Sequence, residues 1–148
     1  MLFWDLGILF LCCLDYGFTF RGKGIHAQRR SPRHLLQGVS QVIEIVLSNW
    51  ADLPKSIKVR DQTPLGWEAA PVLKSRVPAR SEVVLRYPVT PPERGVYGFG
   101  DLDLRVEGPL RLIHRPLPIP ASEEIRVLPC LQTLRYPDLI AYRRRARH

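Results

Sequence analysis

Cysteine is scarce in this chain of 148 residues, with two adjacent residues, Cys12 and Cys13, and a lone Cys130. Neighbouring cysteines rarely bond to each other, and no C-x-x-C spacing occurs. A disulfide framework and a zinc site are therefore both unexpected, and a reducing compartment is expected. The four histidines, His26, His34, His114 and His148, are scattered rather than spaced as ligands. No G-x-S-x-G elbow is present, and no glycine-rich loop follows a strand and opens a helix. Gly98-Phe99-Gly100 is only a fragment of such a loop. Nothing resembles a catalytic constellation, so no cofactor and no small-molecule substrate is expected. Ten-residue helical patterns are also missing from the body. Its place is taken by 14 prolines and 10 glycines spread along the chain, which favour short strands joined by turns.

Long apolar runs are few. The longest near the N-terminus, Leu6 to Leu14, has nine residues and is flanked by Asp5 and Asp15. A spanning helix needs about 20 residues, and an acid at its centre costs about 2.5–3.5 kcal/mol. Residues 1–20 are read as a marginal membrane helix, with Trp4, Tyr16, Phe18 and Phe20 as interfacial aromatics. The alternative is a buried N-terminal helix. A signal peptide fits less well, because no basic residue precedes the run and no small-x-small site follows it.

The net charge of +8 is unevenly placed. The stretch Arg21 to His34 carries Arg21, Lys23, Arg29, Arg30 and Arg33 and no acid, and four arginines stand between Arg143 and Arg147. Between Leu35 and Tyr142, basic and acidic residues nearly cancel. The first cluster fits the positive-inside rule, which places the body on the cytoplasmic side of a membrane. Nucleic acid is not expected as a partner, because its footprint usually lies on the folded body. The competing reading is a soluble anion- or nucleic-acid-binding protein that uses its arginine-rich flanks.

From Val39 the pattern has period two. Val39, Ile43, Ile45 and Leu47 share a face. Ile57 and Val59 oppose Lys58 and Arg60, and Val83, Leu85 and Tyr87 oppose Glu82 and Arg86. Leu102, Leu104 and Val106 oppose Asp101, Asp103 and Arg105. Further strands are expected around Trp67–Val72, Leu110–Arg115 and Ile125–Leu128. Seven short strands with frequent turns predict an immunoglobulin-like antiparallel β-sandwich. The expected organisation is a membrane helix at 1–20, a basic linker at 21–38, the sandwich at 39–130 and a basic helix or tail at 131–148.

The segment Arg94 to Arg115 resembles the N-terminal part of the domain of unknown function 58 (DUF58) family. Pro91, Arg94, Gly95, Tyr97, Phe99 and Gly100 match its P-x-x-R-G-x-Y-x-(F/L)-G turn and strand. Gly108, Pro109, Leu110 and Leu112 match the turn that follows, with Arg111 where the family usually has glycine. Arg29-Arg30-x-Pro32, Gln37-Gly38, Asn49, Arg60-Asp61-x-x-Pro64 and Val127-Leu128-Pro129 fall in the family's order. The resemblance implies N-terminal membrane helices, a β-sandwich and a von Willebrand factor A-like half. It also implies encoding beside MoxR-type AAA+ ATPases that act in protein assembly or maturation. That half would lie beyond His148, so a truncated or fragmentary member is expected. The expected function is a non-catalytic, membrane-anchored interaction module. Its partners would be lipid and a MoxR-type ATPase or another membrane protein. Arg94, Gly95, Tyr97, Gly108 and Pro109 are the candidate interaction or motif residues. The plainer reading makes Arg94-Gly95 and Gly108-Pro109 turns and puts Tyr97 in the core.

Overall fold

A computed structural model describes residues 2–20, 24–108 and 114–130. A helix, α1 (Leu2–Phe20), is followed by ten strands. These are β1 (Ile25–Arg30), β2 (His34–Leu36), β3 (Gln41–Asn49), β4 (Lys55–Asp61) and β5 (Leu73–Val77). They continue with β6 (Ser81–Val89), β7 (Gly95–Phe99), β8 (Leu102–Glu107), β9 (His114–Ile119) and β10 (Glu123–Leu128). One layer has the order β1-β3-β6, all antiparallel. Opposite it lie a sheet of order β5-β4-β8-β9 and a smaller one of order β2-β10-β7. β7 leads into β8 and β9 into β10, so these two sheets form one bent face of a sandwich.

Alternation explains the core. Ile43, Ile45 and Leu47 of β3, Ile57 and Val59 of β4, and Leu102 and Leu104 of β8 are enclosed between the layers. Their neighbours along each strand largely face outward, as period two requires. Val39 shares this face only in part, because it precedes β3 and is half-buried. The mainly β, immunoglobulin-like expectation holds, with ten strands among the described residues instead of about seven and one parallel pair, β2 with β10, in an otherwise antiparallel arrangement.

Four details differ from the sequence pattern. The segment expected to be a linker, 21–38, contains β1 and β2. β1 pairs with β3 along its whole length, and β2 runs parallel to β10. The sandwich therefore starts at Ile25, not at Val39. Polar-looking IHAQRR hides its inward residues, Ala27 and Arg29, behind an arginine-rich composition. Second, residues 67–72 form no strand. Trp67 closes a turn by donating its N–H to Pro64 O at 3.1 Å, and the strand comes later as β5. Third, the expected strand at 110–115 is displaced to β9. Its Pro116 and Pro118 lack a donor, which is tolerable because β9 is a sheet edge. Residues 110–113 lie outside the described residues, as does the expected C-terminal helix or tail at 131–148.

The fourth difference is a break between the strand that carries Tyr97 and Phe99 and the alternating Leu102, Leu104 and Val106. Phe99 pairs with Glu123, and Leu102 pairs with Ile119. Two residues, Gly100 and Asp101, thus stand opposite three, Pro120 to Ser122. This is a β-bulge, which bends the hairpin and lets its two halves join different sheets. A Cβ on Gly100 would lie 2.8 Å from the Gln62 Cβ, so the close approach of β4 there requires glycine.

Helix α1 exposes apolar side chains on most of its circumference, among them Leu6, Ile8, Leu9, Phe10 and Leu14. Asp15 is fully enclosed. Among the described residues no helix is long and apolar enough to cross a membrane.

Phe99 is 1% exposed and meets Trp67 edge-on, with centroids 5.7 Å apart. Phe99→Ala is expected to cost about 3–5 kcal/mol, the range for a buried aromatic. Tyr97 is only half-buried on the same Trp67, so Tyr97→Ala is expected to cost less. Urea midpoints of the two variants check the order.

Candidate functional site

The most concentrated polar chemistry is inside the sandwich, at the bulge. Arg29 extends inward from β1 and Asp61 from the end of β4. Their side chains are 1% and 0% exposed. Arg29 Nε donates to Asp61 Oδ2 at 2.9 Å, and Nη2 donates to Oδ1 in a bidentate pair. The remaining donors cross to the opposite face. Nη1 donates to Ala121 O at 2.6 Å and Nη2 to Gly100 O at 2.8 Å. These two carbonyls flank the bulge from either side. The guanidinium also sits 4.7 Å from the Phe99 ring centroid, in cation–π contact. Asp61 Oδ2 accepts a third bond, from the Tyr87 hydroxyl at 2.6 Å.

Gln62 completes the surroundings of the bulge. Gly100 N donates to Gln62 O at 2.9 Å, and Ala121 N donates to Asp101 Oδ1 at 3.2 Å. β1, β4, β6 and both halves of the β7–β10 hairpin therefore meet at one ion pair. The pair is shut off from solvent, so it has no route to a substrate and acts as a structural tie. Burial raises the Tyr87 pKa above the ordinary tyrosine range. The bond to Asp61 and its charge add to that rise, and Arg29 opposes it.

The residues expected to carry the motif or the topology disperse. Arg29 is the buried partner of Asp61, so it is a correction to the basic-flank reading. Its charge is spent inside the fold. Arg30 and Arg33 are exposed as expected. Arg21, Lys23 and Pro109 lie outside the described residues. Arg94 is exposed, and Gly95 opens β7 at φ 151°, where a Cβ would meet the Tyr97 ring at 3.4 Å. Gly108 is buried at the other end of the long hairpin, so it forms no common site with Arg94 and Tyr97. Sequence reasoning passed over Arg29 and Asp61 as a pair. The available signal was parity, because Asp61 follows Ile57 and Val59 on the inward face of its strand.

The outer face of the four-stranded sheet carries two shallow grooves of about 450 and 580 Å³. Across it, Lys58 stands directly opposite Lys74 on one side and Arg105 on the other. Arg60 and Arg76 extend this cationic field. Among the described residues its acids are Glu107, paired with Lys58, and Asp103, opposite Arg60. Like charges in register destabilise a sheet slightly, and the pair of Lys58 with Glu107 offsets part of that repulsion. Near one edge, Lys55 is buried, and its pKa is lowered first by desolvation and then by Arg115. Among the described residues no group of three or more His, Cys, Asp or Glu could hold a metal ion.

No family model matches the chain, and no curated protein matches it. Solved structures do match. The CARDB domain of a Pyrococcus furiosus protein, in complex with two metal ions, aligns at a TM-score of 0.52 with 15% identity. The alignment covers 72% of this chain and 91% of that domain. A PapD-like domain of human CEP192 aligns at 0.46 with 10% identity, over 72% and 88%. An alkylpurine DNA glycosylase of Pseudomonas fluorescens bound to abasic-site DNA aligns at 0.41 with 15% identity, over 76% and 33%. At this identity the first likeness concerns the fold alone.

Two measurements test the buried tie. Arg29→Met leaves Asp61 charged and unpaired, which is expected to cost about 3–5 kcal/mol in urea unfolding. Arg29→Met combined with Asp61→Leu is expected to cost less than that single change, because no orphan charge remains. The Tyr87 shift sets a pH dependence. Its folded pKa is raised, so its contribution is complete below the unfolded tyrosine value of about 10 and declines as pH rises above it. Stability followed from pH 8 to pH 11 is expected to fall in the upper part of that range. Tyr87→Phe is expected to flatten the decline.

The β-sandwich that these residues hold together is of the architecture seen in the CARDB domain, mainly β and immunoglobulin-like.

Proposed function

We propose that this protein is a non-catalytic interaction module of the DUF58 type, a sandwich held at the cytoplasmic side of a membrane by α1. The partner would be another membrane-associated protein, with a MoxR-type AAA+ ATPase the best match to the family resemblance. The observation that carries the reading is the state of α1. Leu6 is 67% exposed, Leu9 62% and Phe10 64%, although the sandwich buries its own core well. A helix that is apolar nearly all round needs a lipid or protein environment to cover it. Of the two acids in α1, Asp15 is enclosed rather than bare. Arg21 and Lys23 stand in the sequence between α1 and β1, whereas the exposed Arg30 lies opposite Glu44 at the far end of β1.

The buried role of Arg29 sharpens the test. Changing Arg21, Lys23, Arg30 and Arg33 to glutamine, with Arg29 retained, is expected to weaken the inside preference of a reporter fused after His148. The unaltered chain is expected to report from the cytoplasmic side and to resist alkaline extraction. An outside signal from the unaltered chain overturns the orientation, and complete release by alkali overturns the anchor.

One observation favours the second reading, anion binding by a soluble protein. The Lys74–Lys58–Arg105 row gives the body a cationic face in addition to the arginine flanks. Binding to a polyanion that weakens steeply with salt, by a chain that stays in the soluble fraction, would support it.

A further inference from the structure

We infer that the loop between β3 and β4 is a second membrane contact, with Trp50 and Leu53 seated at the boundary between lipid headgroups and acyl chains beside α1. The inference rests on the anchoring role of α1 and extends it to the sandwich.

Register places this loop at the end of the sandwich that the chain enters from α1. Ile25 pairs with Asn49, and Asn49 with Ser81. Trp50 N donates to Gly24 O at 2.7 Å. Gly24 is four residues beyond Phe20, so at most about 14 Å of chain separates Gly24 from the helix end, and Trp50 is hydrogen-bonded to Gly24. The approach is close. A Cβ on Gly24 would meet Ala51 N at 3.1 Å.

The loop is built rather than slack. Asn49 is 1% exposed, and its Nδ2 is shared among Leu53 O at 2.9 Å, Pro78 O at 2.9 Å and Val77 O at 3.2 Å. Its Oδ1 accepts from Ala51 N at 3.1 Å. Arg80, at φ 52°, braces the far side by donating its N–H to Ala51 O at 3.2 Å and its Nε to Asp52 Oδ1 at 2.8 Å. This framework holds out two apolar side chains, Trp50 at 73% exposure and Leu53 at 48%. A fixed turn that displays tryptophan to water gains nothing for the fold. Beside a membrane helix it gains contact, because indole combines an apolar body with an N–H donor and favours the interface.

The test uses the full chain carrying Trp4→Phe, reconstituted into vesicles of phosphatidylcholine and phosphatidylglycerol with plain or brominated acyl chains. Lower tryptophan emission in brominated vesicles is expected, and adding Trp50→Phe is expected to abolish the difference. Trp67, enclosed in the sandwich, serves as the unquenched reference. Equal emission in both vesicles from a chain that resists alkaline extraction overturns the loop contact and leaves the anchor standing. Trp50 shielded from aqueous acrylamide but untouched by bromine points to a protein partner and also overturns it. Bromine quenching of Trp50 in a chain that alkali releases supports the loop contact while removing α1 as the anchor.

Discussion

The sandwich is organised around one buried ion pair. Arg29 and Asp61 are removed from water together, and such a pair is tolerable only if every remaining donor and lone pair is used. Here the unused guanidinium donors reach Gly100 O and Ala121 O, and the second carboxylate partner is the Tyr87 hydroxyl. The two carbonyls belong to the bulge, where ladder bonding is interrupted and backbone groups would otherwise be stranded. The bulge needs the arginine, and the arginine needs the bulge. That reciprocity links the layer β1-β3-β6 to the opposite face at the point where the face bends.

The same arrangement separates specificity from bulk stability. Leu, Ile and Val at inward positions supply the apolar burial that drives folding. They would tolerate a slipped strand poorly but do not name a partner strand. The fork of Arg29 does, because only one register brings it to Asp61 and to both bulge carbonyls. The placement of β1 against β3, and the bend between β7 and β8, both depend on it.

The ends of the sandwich are unlike. At one end stand Arg94, Gly95 and the half-buried Tyr97, framed by a turn that needs glycine. At the other stand Gly24, the Trp50 loop pinned by Asn49, and buried Gly108. The motif residues therefore serve two separate pieces of framework rather than one pocket. Asn49, Arg29 and Asp61 show the same thing more strongly. Each is a polar residue that hydrogen-bonds backbone or side-chain groups from distant strands, so its role is to hold the frame on which exposed groups such as Trp50 and the Lys74–Lys58–Arg105 row are displayed.

Alternation alone determined the mainly β class and the inward sides of β3, β4, β6 and β8, because apolar burial at period two is a local property of each strand. The N-terminal helix was likewise legible from its apolar run. Tertiary structure alone decided the rest. IHAQRR carries too little apolar character to announce a strand, and its inward arginine is stabilised only by an acid 32 residues away. The break at Gly100–Asp101 arises from unequal segment lengths across a hairpin, which no single strand records. Which basic residues remain available at the surface is also non-local, since Arg29 and Arg30 are adjacent in sequence and opposite in fate. The physical reason is common to all three. A buried charge, a bulge and a display loop are each set by partners that only the closed sandwich brings within hydrogen-bonding distance.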